Sequence, residues 1–547
     1  MHHLIVNSKT TKFIQALFAL LLLICINTTQ AQQYVKIDSS FANNGTLLYN
    51  MYNYPQTYPV SFGNYYYSSY VHEEGNFIIA GRHNNGGDNK YFVSAFKHNG
   101  QQDTSLFNMG TNYGLILQSS PSYSENEAMK LIKLHDGKFL IMTDQFLNNG
   151  IHQKILVVRL HSNGQIDSTF ATNGILASNL YFMYNNDRRC ARDLYQVDNS
   201  KILVIGHDTA ASTYSKLKVS RYLQDGNIDA TYGTNGTYTS ANDFYYQTSF
   251  QNTSGEILMV GYNSNSQSTF KIMKLNSSGN VDPLLNTQTI NIPGISGTYQ
   301  ENISCIRQQT DGKYLITGNF FTWNYVWNSF IIRCNSDGSI DNTFNGNGIK
   351  IFNSATEIYF SPVLYQNNKI YIGGWIQKDH SSENKHDYLL MRLNYNGSID
   401  SAFGTNGSII EDLGVNEAIW DLKMQNGKLL AFGNTGRCAV WNTFIARYLI
   451  DLDLGITSTE SDLFEMNLFP NPVVENAIIK YQLNSNSKIQ IDITDIFGRI
   501  VLNICENDFQ EKGLHQKGIS LQNLSKGIYF INLRAGNLRK NIIFNKL

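Results

Sequence analysis

One pattern recurs seven times along this chain, and it leaves few folds open. A turn followed by an apolar strand, usually closed by glycine, reads GNFIIAG from Gly75, GKFLIMT from Gly137, SKILVIG from Ser200, GEILMVG from Gly255, GKYLITG from Gly312, NKIYIGG from Asn368 and GKLLAFG from Gly427. A second pattern goes with it: a strand, a turn and an Asp-aromatic signature, as in LVVRLHSNGQIDSTFATNG from Leu156 and LMRLNYNGSIDSAFGTNG from Leu390. Its aspartate falls at Asp38, Asp103, Asp167, Asp229, Asp282, Asp341 and Asp400, at spacings between 53 and 65 residues. Fixed strands joined by loops of variable length produce such a drift. The copy at Asp282 lacks the following phenylalanine and the NxG, which predicts an irregular edge there.

Within each unit the residue types follow from local physics. Alternation in KILVIG buries one strand face, and NG and DG pairs supply the positive φ that tight hairpins need. The repeated aspartates are expected to fix turns by accepting backbone N–H groups. They lack the dense DxDxDG spacing of a calcium loop. The ends of the array bear on its closure. VKIDSSFANNG from Val35 is only the second half of a unit, and GKLLAFG with FIARYLIDL after it is only the first half. Joined, they complete a last sheet and remove two open edges. The expected fold is therefore all-β: a seven-bladed β-propeller over residues 32–452, closed by the N-terminal half-unit and followed by a small β-sandwich. An open solenoid is the other arrangement the pattern allows. About sixty residues per unit exceed the forty to forty-five of a compact blade, so long rim loops are expected.

The repeats, through the GKILVIG-type strand, the RLNxxGxID segment and the FGxNG tail at Arg392 to Gly407, resemble the delta-60 β-propeller-like family of bacterial surface and secreted proteins. That resemblance implies no agreed catalytic residues.

The flanks carry addresses. Phe13 to Ile26 is apolar but short for a membrane span, and NTTQAQQ follows, so residues 1–31 are expected to be a signal peptide cleaved near Ala31. No transmembrane segment is expected in the mature chain. Residues 453–463 are polar and acidic, as a linker is, and residues 464–547 alternate as a small antiparallel sandwich does. LFPNP from Leu468, DIFGRIV from Asp495, LSKGIYFINL from Leu524 and the terminal strand from Lys540 resemble the type A sorting domain of the Bacteroidetes type IX secretion system. The resemblance implies the type IX secretion machinery as a partner, and a protein secreted or attached to the outer surface.

Composition narrows function by exclusion. Lys+Arg and Asp+Glu stand at 42 and 43, without the basic stripe that collects phosphates, so nucleic acid is not an expected partner. No HExxH, GxSxG or phosphate-binding glycine loop occurs, and no catalytic residue, metal ligand or cofactor is expected from motifs. The later cysteines Cys190, Cys305, Cys334, Cys438 and Cys505 are odd in number and far apart, which suits buried single thiols, with a Cys305–Cys334 bridge as the alternative. Aromatic clusters are the candidate ligand surface: Tyr65, Tyr66 and Tyr67 ahead of the Gly75 strand, Trp323, Tyr325 and Trp327 in one loop, and Trp375 in the next unit. Rings among amides suit an extracellular glycan or a surface protein, and packing between blades is the rival use. Two functions stay open: a non-catalytic binding or adhesion module, and an extracellular polysaccharide-degrading enzyme that assembles its acids from distant blades.

Overall fold

In the computed structural model the chain is almost wholly β-structure, with one helical turn, Pro283–Asn286, among the described residues. Those residues are 35–450 and 466–547, apart from short stretches of which the longest are 50–61, 118–127 and 183–192. The expected signal peptide and linker lie outside them. None of the described helices is long and apolar enough to cross a membrane. Two compact units divide between Leu452 and Asp453.

The first unit is a β-propeller of four-stranded antiparallel sheets. Glu357–Gln366, Lys369–Gln377, Asp387–Asn394 and Ser408–Glu411 pair in that order and show the plan. The first strands of successive sheets are Phe62–Val71, Ala128–Lys133, Asp193–Val197, Phe244–Gln251, Gln300–Gln308, Glu357–Gln366 and Asn416–Gln425. Each touches the next and the last touches the first, so they close a ring. The sheet of Asn416–Gln425, Lys428–Arg437 and Val440–Leu449 takes its outer strand from Thr46–Tyr49, with Leu47 opposite Ile445. The two half-units thus meet, as their complementary sequences lead one to expect.

Apolar side chains pack between neighbouring sheets. Tyr371, Leu390 and Phe403 meet Ile419, Leu429 and Phe444 across one such junction. The Asp-aromatic signature adds a polar clasp to five of them. Arg159 Nε lies 2.8 Å from Asp167 Oδ2, and the guanidinium stacks 4.6 Å from the Phe170 ring centre. Another N–H of Arg159 donates to the Gln224 carbonyl of the next sheet. Asp167 Oδ1 accepts the Thr169 N–H, and Lys138 lies 3.0 Å from Oδ2. The same set recurs with Arg221 and Asp229, Arg333 and Asp341, Arg392 and Asp400, and Arg447 and Asp38. Burial by itself pushes these carboxyls up. The lysine, hydroxyl and N–H donors and the arginine charge outweigh it and hold Asp38, Asp167, Asp229 and Asp341 well below the usual carboxylate range. The aspartates do fix turns, and they also bind sheet to sheet. At Asp282 the expected irregularity is present: the helical turn Pro283–Asn286 follows it, and Lys274, 2.8 Å away, stands where the arginine stands elsewhere.

Cys305 and Cys334 are buried free thiols, not a bridge, and Cys505 is free as well.

The second unit is a sandwich of two sheets. Met466–Phe469, Asn476–Leu483 and Gly513–Ser520 form one; Ile500–Gln510, Ser487–Asp495, Gly527–Ala535 and Leu538–Lys546 form the other. Strict alternation along Asn476–Leu483 turns Ile479, Tyr481 and Leu483 inward against Ile491, Ile531 and Leu533.

Candidate functional site

The ring of first strands encloses a channel of about 680 Å³. Its lining follows from a defect repeated around the ring. In six of the seven first strands the pairing register slips by a β-bulge or irregularity, for example between Tyr66 and Ser68, between Ile303 and Cys305, and between Ile419 and Asp421. A bulge re-aims the extra residue, and Tyr67, Ser304, Ser361 and Trp420, all at such slips, line the channel. The glycine that closes the repeated strand makes room for the slip. A Cβ on Gly374 would stand 1.9 Å from the Tyr359 carbonyl oxygen, and one on Gly433 2.2 Å from that of Ala418.

The channel wall combines hydroxyls with charges. Asp193 is held by Lys130 at 2.7 Å, and it accepts from the Tyr195 and Ser249 hydroxyls, each at 2.7 Å. Asp421 accepts from the Tyr66 hydroxyl at 3.0 Å and from Ser69 at 3.1 Å, with Lys423 3.2 Å away. The Arg307 guanidinium feels the charges of both Asp421 and Asp193. Burial pushes the Asp421 carboxyl up, but the charges of Lys423 and Arg307 prevail and keep it below its ordinary value. Burial drives the hydroxyls of Tyr66, Tyr195 and Tyr246 well above theirs. At neutral pH these groups hold charge and donate hydrogen bonds; they are poorly matched to proton transfer. Four cations, Lys130, Lys133, Arg307 and Lys423, face two carboxylates, Asp193 and Asp421, along the described wall.

The aromatic candidates scatter. Tyr67 reaches the channel. Tyr66 is buried, stacked on Phe432. Tyr65 lies under the Arg82 guanidinium and against Trp441. Trp327 meets Tyr359 edge-on, and Trp375 stacks on Tyr359 at 5.5 Å and is only 8 % exposed. Trp323 and Tyr325 lie outside the described residues. The charged residues of the wall escaped the sequence reading. Each lies on the strand just ahead of a repeated turn, as Asp193 does in DLYQV, Arg307 in ISCIRQQ, and Asp421 and Lys423 in AIWDLKM, and that placement is the signal.

Residues 467–545 match the family described as the secretion system C-terminal sorting domain. Residues 199–232, 253–284, 309–344 and 366–403 match a domain of unknown function (DUF5122) beta-propeller. No curated protein matches. Among solved structures the chain is similar to the polysaccharide lyase Uly1, at 10 % identity and a TM-score of 0.33 over 59 % of this chain and 89 % of that one. It is also similar to the beta-propeller domain of the Trilobed protease from Pyrococcus furiosus, at 10 % identity and a TM-score of 0.32 over 64 % and 89 %. The chain is a propeller-like repeat protein with a type IX secretion sorting domain, and that domain marks it as secreted or attached to the outer surface.

Proposed function

We propose that the protein is an extracellular binding module whose seven-bladed ring takes an acidic glycan at its central channel. One observation carries the reading: a channel walled by hydroxyls, with Trp420 and Tyr67 among its lining, whose cations outnumber its carboxylates. Hydroxyls suit sugar hydroxyls, rings suit sugar faces, and excess cations favour uronate or sulfate groups. The type IX secretion machinery is the partner proposed for the second unit.

Titration calorimetry of the full chain with polygalacturonate, a sulfated glycan and a neutral glucan tests this. The acidic polymers should bind, more weakly as salt rises, and Arg307→Met should weaken them about tenfold. Equal affinity for the neutral glucan, or no binding at all, rejects the proposal.

A polysaccharide-degrading enzyme is the second reading, and one cluster favours it. Lys133 Nζ lies 2.8 Å from His72 Nε2, with the Tyr70 ring edge-on to the imidazole at 5.4 Å. Burial and then the Lys133 charge lower the His72 pKa, leaving a neutral imidazole beside a tyrosine. Release of unsaturated or reducing ends from the same polymers, abolished by His72→Ala, would establish that activity.

A further inference from the structure

A second polar site lies between the sheet that begins at Glu357 and the one that begins at Asn416. Asp387 opens the strand Asp387–Asn394, Asp412 follows Ser408–Glu411, and Glu417 sits at the start of Asn416–Gln425. One oxygen from each of the three carboxyls lies within 4.8 Å of the others. Oxygens that share one Ca²⁺ at 2.3–2.6 Å stand no more than about 5 Å apart, so the spacing suits a common ion.

Glu417 makes that proximity costly. Its side chain is 1 % exposed. Oε1 accepts the Val415 N–H at 3.0 Å and the Thr435 hydroxyl at 3.1 Å, while Oε2 is buried with no hydrogen-bond partner. Its backbone is fixed too, because the Glu417 N–H donates to the His386 carbonyl at 2.8 Å. Asp412 is held by the Gly414 N–H on its Oδ1 at 2.6 Å. Three carboxyls this close cannot all ionise without a counter-charge, and an unsatisfied buried oxygen adds to the cost.

We propose that Asp387, Asp412 and Glu417 bind one hard divalent cation of the calcium class, which ties the two sheets together at this rim. An all-oxygen donor set selects calcium or magnesium over zinc or copper, and acids supplied by three separate segments suit the larger, less demanding ion. A secreted or surface-attached protein meets calcium at concentrations where a site of moderate affinity fills. The rival arrangement is a proton shared among the three acids.

The test uses the full chain, stripped with EDTA and then dialysed against radioactive calcium, with melting followed in parallel. One ion per chain is expected, together with a higher melting temperature in calcium than in EDTA. Glu417→Gln and Asp412→Asn should each weaken binding at least about tenfold. Glu417→Gln should also melt no lower than the parent in EDTA, since it removes the uncompensated buried charge. Asp412→Asn lies on an exposed residue and keeps the test decisive should the buried variant fold poorly. An identical melting temperature in EDTA and millimolar calcium with no bound ion overturns the site and leaves the shared proton. Calcium binding that neither variant alters overturns the assignment of these residues.

Discussion

Arg447 and Asp38 stand 409 residues apart in the chain, yet the arginine Nε donates to the aspartate Oδ2 at 2.8 Å. Four other sheets make the same pair eight residues apart, as Arg159 and Asp167 do. The closing contact of the ring is therefore the ordinary repeat clasp, cut once by the chain ends. Lys428 and Ser40 complete it at 2.6 Å each from Asp38. Asp38→Asn leaves Arg447 buried without its counter-charge and should cost about 3 kcal/mol. Asp103→Asn is the control, because Ala95 occupies the arginine position there, and it should change stability by no more than about 0.5 kcal/mol. Equal melting temperatures for the two variants would refute a special role for the closing clasp.

The clasps set the response to acid. The carboxyls of Asp38, Asp167, Asp229 and Asp341 are depressed in the folded state. A depressed acid contributes its stability fully above its unfolded pKa, about 3.9, and loses it as pH falls toward the folded value. The melting temperature should therefore hold level from neutral pH to about pH 5 and drop steeply below about pH 4. Arg333→Met should flatten that drop, having already lost the interaction that protonation removes. A midpoint that climbs on acidification runs against this reading.

The glycines that end the repeated strands admit the bulges of the channel wall. Gly374→Ala and Gly433→Ala press a methyl onto a backbone oxygen and should each cost about 2–3 kcal/mol. Gly518→Ala, with nothing within 4 Å of the added carbon, should be close to neutral in a melt of the same chain.

The ring was readable because its units repeat together: strand, turn, aspartate and aromatic recur in order, and Val35 to Gly45 carries the missing half. The arginine clasp was written in the same signature, in LVVRLHSNGQID for instance, but an arginine on an alternating strand reads as an exposed residue. Its burial depends on the phenylalanine above it and on the carbonyl of the next sheet, neither of which one repeat shows. Tyr65, Tyr66 and Tyr67 make the same point about the site. A run of identical rings cannot say which faces the channel, and the slip after Tyr66 decides it. Lys130, Asp193, Arg307 and Asp421 come from four different strands, so only ring closure brings them to one channel.

The thiols give a further check on packing. Cys334 is fully buried, and burial pushes its pKa to about 12, with the charges of Asp337 and Asp341 adding to the shift. A thiol so rarely ionised should stay unmodified when the folded protein meets iodoacetamide, and Cys305, 5 % exposed, should follow it. Half-buried Cys505 should label ahead of both. Peptide mapping reads each site, and a Cys305–Cys334 disulfide peptide would contradict the free thiols.

The sorting domain can be separated from the working body, because each unit has its own core. Val473, Ile479, Ile491 and Ile531 pack within the sandwich, while the propeller buries Leu390, Phe403 and Phe444 between its own sheets. Deleting residues 464–547 therefore removes an address without opening the ring. The truncated chain should keep a cooperative melt near that of the parent and accumulate inside the cell envelope instead of reaching the surface or medium. Fractionation in the native host measures this, and the melt guards against a misfolding explanation. A well-folded truncation that still appears outside would show that the domain is a stable accessory sandwich and that export is directed by another part of the chain.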